Sequence, residues 1–538
     1  MPTKTIVAAM VLVTSLGTLR ADTYPRQPAI DAIHYRFALT VTVDRSRIVG
    51  EAMVTLRLLA PIREVALDLT SLQGDRGMKV SAVTQGGRAV AFSHEANRLH
   101  LPVAEDAVGG QDLVYTIAYA GTPADGLRTI STMHGERAVF SDNWPDRARQ
   151  WLPMIDHPYD KATGELIVTA PADFQVVSNG TLVEETDLAQ GLRRTHWRQD
   201  VPIASWLYAL GVARFDVHHA GNVQDVPLQT WVFPQDRLQG RSVFEETSRR
   251  AIDFFSDRVG PYPYAKLANV QAAGINGGME NATVIFYGEK GVASGRAPVV
   301  HEIAHQWFGN SVTERDWDEV WLSEGFATYF AHLFAEHFEG RDAFVQGLVQ
   351  NRATVVELEA KLPDTPVIHR NLADMERVLN QLVYQKGGWI LHMLRAEVGT
   401  DVFWAGIREY YRRYRDGNAT TNDFRLVMEH ASGRPLTWFF SQWLTRSGVP
   451  RLEGTWRFDP SRRAVEVQLS QTQTAEPLRL TVEIGLVSES SATTVIERLT
   501  LDSRTKTFLL PAAGPPSSLT LDPNTWLLAD LRPLAPAC

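Results

Sequence analysis

The chain has 538 residues, 44% of them hydrophobic and 21% charged. That is the composition of an ordinary folded protein and excludes a disordered, collagen-like or coiled-coil chain; the length allows roughly three to four domains. A net charge of −9 speaks against a general affinity for nucleic acid or an anionic membrane, and the one cysteine, Cys538, leaves any metal site to histidines and carboxylates.

In chain order, a basic start at Lys4 is followed by a mostly apolar run over 6–19 and then Arg20 and Ala21. This reads as a secretory signal peptide over 1–21, cut near Ala21 and too short for a membrane span. No later stretch holds 18 consecutive apolar residues, so the mature protein is expected to be soluble, without stable membrane insertion. Export without disulfides fits a bacterial periplasm or the medium.

From Ile33 the apolar residues alternate through Tyr35, Phe37, Leu39, Val41 and Val43, and again at 54–58 and 65–69. Period two marks half-buried strands, and strand-like runs continue at 164–171 and 206–217. Residues 22–217 therefore read as one β-rich domain. Helical spacing takes over at 241–258, 298–309, 323–338, 378–398 and 420–432, the last opening on a capping residue, with a small sheet near the start of the region. Residues 218–446 read as largely helical. Alternation returns after Pro450, strictly so from Leu478 to Leu486, with further strands at 456–469 and 495–510. Residues 447–538 read as a small β-sandwich ending near Leu531.

The chemistry centres on His301-Glu302-Ile303-Ala304-His305. Two histidines four apart share one face of a helix and can hold one metal ion, with Glu302 in reach of a metal-bound water. Glu324 follows His305 by 19 residues on the next helix and supplies a third ligand. Two histidines, a glutamate and one exchangeable position form a catalytic zinc set. Such a metal lowers the pKa of its water, which Glu302 deprotonates before passing the proton to the leaving amine. A hydrogen-bond donor for the oxyanion has to come from elsewhere in the chain.

Three blocks carry a resemblance: the zinc motif with Glu324, Gly277-Gly278-Met279-Glu280-Asn281, and Val383-Tyr384-Gln385-Lys386-Gly387. In order and spacing they resemble the M1 metallo-aminopeptidase family, gluzincins with a thermolysin-like catalytic domain. Pro153 to Pro158 and Val177 to Gly180 look like that family's N-terminal saddle, and Leu521 to Asn524 like the end of its β-sandwich. The resemblance implies a multidomain α+β protein: β-saddle, mostly helical catalytic domain, β-sandwich, and one Zn²⁺. It implies that Glu280 binds the free α-amine of a peptide and that Tyr384 stabilises the oxyanion. Gly277 and Gly278 would let the backbone approach the substrate, beside Met279 and Asn281. Glu319 stands where the family has an acidic residue, and either orients His301 or is an exposed helix residue; Asn310 reads as a cap.

Two departures qualify the likeness. The saddle residue that usually assists in binding the amine, a Gln or Glu, falls at Trp144 here, leaving Asp142 or Asn143 as substitutes. The helical domain that follows the sandwich in many members has no counterpart, so a more open cleft admitting longer peptides is expected. The remaining histidines, among them His218, His219, His332, His337 and His392, read as surface or core residues. The resulting expectation is a zinc aminopeptidase acting on peptides with a free N-terminus. The alternatives are a leukotriene-hydrolase-like epoxide hydrolase, an endopeptidase, and a non-catalytic peptide-binding protein on the same fold.

Overall fold

The computed structural model describes residues 22–488 and 494–537; the expected leader over 1–21 and Cys538 lie outside the described residues. Alternating side chains build the first layer. Ile30–Thr40 pairs antiparallel with Ile48–Leu58 and parallel with Lys161–Pro171 inside an eight-stranded sheet. Tyr35, Phe37, Leu39 and Val41 point into the core, as period two requires. Ile33 does not, because a bulge between Ala32 and His34 shifts the register and turns Ile30 and Ala32 inward before it. The run expected over 206–217 is broken. Ser205–Leu207 forms a 3₁₀ turn, Leu210–Ala213 joins a four-stranded sheet beside Arg137–Ser141, and Asp216–Val223 opens the next sheet. Its near-continuous apolar character reflects burial on all sides rather than one strand face.

The middle region starts with a five-stranded sheet in the order Asp216–Val223, Val226–Val232, Leu267–Ala272, Val284–Gly288, Gly278–Met279, so the last of these is an edge strand. Around it stand α1 (Arg237–Arg258), α2 (Glu289–Ala293), α3 (Val299–His305), α4 (Trp321–Phe338) and α5 (Arg341–Lys361), followed by α6 (Gln381–Val398), α7 (Thr400–Tyr414), α8 (Thr421–Ser432) and α9 (Thr437–Thr445). Helix α3 ends four residues before the expected 309. Gly309 takes a positive φ of 106°, and the Asn310 N–H bonds back to the His305 carbonyl, closing the helix. Thr420 caps α8 in a capping box with Asp423. Helix α5 lies outside the helices read from sequence because two of its inward positions, Asn351 and Glu359, are polar and interrupt the apolar pattern.

The C-terminal strands form two stacked sheets. The expected single strand over 456–469 is a hairpin of Arg451–Asp459 and Ala464–Gln471, and 495–510 likewise divides into Thr494–Leu501 and Thr505–Pro511, which lie in different sheets. Both breaks fall at polar turns after Asp459 and Asp502.

Two contacts set the geometry around the functional cavity. Trp144 of the N-terminal region packs edge-on against Trp206 and against Trp317 of the catalytic region, ring centroids 4.5 and 4.7 Å apart. Helices α4 and α6 touch through glycines: a Cβ on Gly387 would stand 3.0 Å from the Gly325 Cα. That close approach brings Tyr384, on α6, to the same cavity wall as Glu324, on α4.

Candidate active site

One turn of α3 places His301 above His305, and their Nε2 atoms lie 3.1 Å apart. Glu324 Oε2, from the start of α4, is 3.4 Å from His301 Nε2 and 3.3 Å from His305 Nε2. Ligands bound about 2.0–2.2 Å from a tetrahedral zinc stand about 3.3–3.5 Å apart, so the three atoms already mark three corners of such a site. Two further observations fit a metal. Glu324 Oε2 is buried without a hydrogen-bond partner. His305 Nδ1 faces the Phe308 carbonyl at 3.1 Å, with Ser323 Oγ at 3.0 Å, partners that hold a proton on Nδ1 and turn Nε2 toward Glu324. The charge balance agrees. Burial disfavours a histidine cation, yet Glu280, Glu324 and Glu302 together lift His305 to about 10, so this pocket of carboxylates draws positive charge. His301, His305 and Glu324 are therefore the residues that would hold one zinc.

Glu302, the helix neighbour of His301, faces the same space. Its carboxylate, the Glu280 carboxylate and the His305 ring offer atoms within 4.8 Å of one another. Burial and the Glu280 charge push its pKa well above the ordinary carboxylate value. Gly278 makes room for it: a Cβ there would overlap the Glu302 carboxylate. Gly277 has a different reason for being glycine, a φ of +74° in the turn before the edge strand, where a Cβ would meet nothing within 4 Å.

Glu280 follows the edge strand Gly278–Met279 and is 5% exposed, with Oε1 lacking any partner. Its position is fixed through its backbone: the Glu280 carbonyl accepts from Asn310 Nδ2 at 2.6 Å and Gln306 Nε2 at 3.1 Å. Asn310 thus does more than close α3; it ties that helix to the segment that carries Glu280. Burial raises Glu280 to about 7, with the Glu324 charge adding to the rise and His305 opposing it. Met279 pairs with Phe286 and Asn281 is buried, so both shape the segment from within. Tyr384 stacks near His301 at 6.2 Å between centroids, and burial beside Glu324 and Glu280 keeps its phenol protonated.

Gly277 to Glu280, His301, Glu302, His305, Glu324 and Tyr384 line one cavity of about 900 Å³; Asn281, fully buried behind them, is not in its wall and is not placed to meet a substrate. Asp142 is in its wall, but its carboxylate is engaged, by Arg147 at 2.6 Å and Arg128 at 3.5 Å. Asn143 is not available to a substrate: its amide serves the Tyr208 carbonyl and the Trp151 indole inside the core. Glu319 does not orient His301 either. It is half-buried and accepts from the Thr421 N–H at 3.0 Å, capping α8. Sequence reading missed Arg128 and treated His332 as remote, yet both line the cavity. Helical spacing could have found His332, which lies eight residues after Glu324 on the same face of α4. Burial lowers its pKa to about 4, so it stays neutral, 3.3 Å from Asn351.

The chain matches the family model described as the peptidase family M1 domain over residues 244–443 and the peptidase M1 N-terminal domain over 31–207. It is 27% identical over 455 residues to human (Homo sapiens) glutamyl aminopeptidase, covering 79% of this chain and 47% of that protein. It is also 27% identical to aminopeptidase M1-A of Oryza sativa subsp. japonica, covering 77% of this chain and 50% of that protein. The chain thus spans about half the length of these curated relatives. Among solved structures, an M1 zinc metallopeptidase from Deinococcus radiodurans aligns with a TM-score of 0.67 at 27% identity, covering 78% of this chain and 95% of that one. Legionella pneumophila aminopeptidase A, solved with aspartic acid, aligns with a TM-score of 0.80 over 95% of this chain and 60% of that one; at 18% identity this speaks for the fold alone. Two family models matched in succession, on domains that meet around a His-His-Glu zinc set, lead to one conclusion: this chain belongs to peptidase family M1.

Proposed function

We propose that this protein is a zinc aminopeptidase that hydrolyses the first peptide bond of peptides with a free amino terminus. The observation that carries this reading is the buried, partnerless Oε1 of Glu280 beside the metal set. A fixed anion there binds the substrate ammonium by a charge-assisted hydrogen bond and leaves only the first carbonyl within reach of the metal. The free edge of Gly278–Met279 offers backbone groups to the substrate backbone. Zinc, when bound, supplies Lewis-acid polarisation of that carbonyl and acidifies water. Glu302 takes the proton as the water oxygen bonds to the carbonyl carbon, and returns it to the nitrogen as the C–N bond breaks. Tyr384 donates to the oxyanion. With all of these groups in place, the chain keeps what a non-catalytic relative of the fold would have no use for. The leader-like 1–21 supports placing the activity outside the cytoplasm, and sequencing of the secreted protein, expected to begin near Asp22, checks that.

The test is a panel of aminoacyl fluorogenic substrates with the wild type, Glu302→Gln and Glu280→Ala, alongside N-acetylated peptides. The wild type should cleave free but not acetylated peptides. Glu302→Gln should bind zinc and lose turnover; Glu280→Ala should raise KM sharply. A wild type that cleaves acetylated peptides equally well would overturn the exopeptidase reading.

A further inference from the structure

The cavity that holds Glu280 and the metal set is also lined by Arg128, Asp142 and Trp144 of the N-terminal region and by Gly274 to Gly277. The Asp142 charge acts on Glu280, so this N-terminal wall stands near the carboxylate. If the substrate ammonium sits on Glu280, the chain has ended there, and the side chain of the first residue is what remains to meet that wall.

Arg128 is the one lysine or arginine among the described residues lining the cavity, and its side chain is 37% exposed. It belongs to a ring of four charges. Its Nε and Nη2 hold Asp125 at 2.9 and 2.8 Å; Arg147 bridges Asp125 at 3.3 Å and Asp142 at 2.6 Å. The fourth side is open: Arg128 Nη1 stands 3.5 Å from Asp142 Oδ2, too far for a good bond. The guanidinium is therefore anchored along one edge while Nη1 remains short of an acceptor. A second donor in the same wall is also unused, since the indole N–H of Trp144 is buried without a partner and the residue is 8% exposed.

We infer that Arg128 makes this enzyme select peptides whose first residue is acidic, the side-chain carboxylate of aspartate or glutamate closing onto Nη1. The inference rests on the aminopeptidase reading above and names its substrate class. Glu280 matches the ammonium, and the ring balances two arginines against two aspartates, so it is the free Nη1 edge of Arg128, and not an excess of positive charge, that receives the carboxylate. A glutamine side chain offers a neutral oxygen to the same donor and forms the weaker bond, and a lysine meets a like charge.

The experiment compares kcat/KM for fluorogenic Glu, Gln, Asp, Asn, Ala and Lys substrates in the zinc-loaded full chain, its Arg128→Met variant and its Arg128→Lys variant. We expect Glu to exceed Gln by roughly 10-fold in the wild type, mostly through KM, with Asp likewise above Asn. In Arg128→Met the Glu:Gln ratio falls to about one, and Arg128→Lys, which keeps the charge, restores part of it. Ratios are insensitive to a general loss of activity, so a merely structural role for the ring would leave them unchanged and overturn the inference. A wild-type Glu:Gln ratio at or below one also overturns it, without need of a variant. Failure of every substrate would remove the aminopeptidase reading itself; turnover of Ala without acidic preference would remove only this one.

Discussion

Gly278 determines where the Glu302 carboxylate can stand. A methyl group at this position would occupy the space of the Glu302 carboxylate, and a displacement of about 1 Å at a reacting group is enough to cost 10²-fold in rate. Gly278→Ala is therefore expected to lower kcat/KM about 100-fold or more while zinc content and the thermal midpoint stay near the wild type. Steady-state kinetics with metal analysis check this; full activity would mean that Glu302 has slack. At the same scale, Asn310 and Gln306 show how a carboxylate is aimed without touching it. They hold the Glu280 carbonyl, leaving the side chain its unpaired oxygen.

Among the elements, the glycine contact between α4 and α6 joins the metal ligand Glu324 to Tyr384. Gly387→Ala pushes a methyl group to 3.0 Å from the Gly325 Cα, so the helices must separate by a few tenths of an ångström. Overpacking of this kind costs about 1–3 kcal/mol. The expected result is a lowered midpoint in chemical denaturation and a reduced kcat with KM little changed, because the role proposed for Tyr384 is on the oxyanion and not on the ground state. An unchanged kcat would remove the coupling between that contact and Tyr384. Helix α3 shows a related economy of length: it supplies one helical turn between His301 and His305 and is then closed at Gly309, which returns the chain toward Glu280.

For the whole molecule, buried polar groups fasten the N-terminal region to the catalytic one. Lys161 donates to the Asn310, Ser311 and Gly417 carbonyls at 3.0, 2.9 and 3.2 Å. Lys266 reaches back to the Ser178 and Gly180 carbonyls, and Asn179 donates to the Ala282 carbonyl at 2.6 Å, two residues past Glu280. Lys161→Met strands three carbonyls and is expected to lower the unfolding free energy by about 2–4 kcal/mol; a loss under about 0.5 kcal/mol would assign the docking to apolar contacts such as Trp144 on Trp317. Stability should also depend on pH through Asp160, whose carboxyl receives only the Ala32 N–H and is raised by burial from 3.8 to about 8. Between those values the folded chain keeps a proton that the unfolded chain has lost, so this group's contribution is full below about pH 4 and is lost as the pH rises toward 8. Asp160→Asn should thus be more stable than the wild type at pH 8, by about 1 kcal/mol or more, and equal to it near pH 4. Thermal melts at the two pH values decide, and a constant difference would refute the assignment.

The zinc motif was legible in the sequence because its determinant is local: four residues are one helical turn, so His301 and His305 must share a face wherever the helix lies. The domain pattern was legible for the same reason, since periods of two and of 3.6 report burial over short stretches. The family resemblance then supplied Glu280 and Tyr384, whose places depend on segments far apart in the chain. What no local pattern could show are arrangements made between separate segments of the chain. The bulge that turns Ile33 away, the diversion of Glu319 to α8, the inward turn of Asn143 and the ring of Arg128, Asp125, Arg147 and Asp142 all depend on which segments meet. The sequence by itself determined the reaction centre, because its ligands lie on one helix and the start of the next; the tertiary structure alone decided what surrounds the first residue of a substrate, because that wall comes from a different domain.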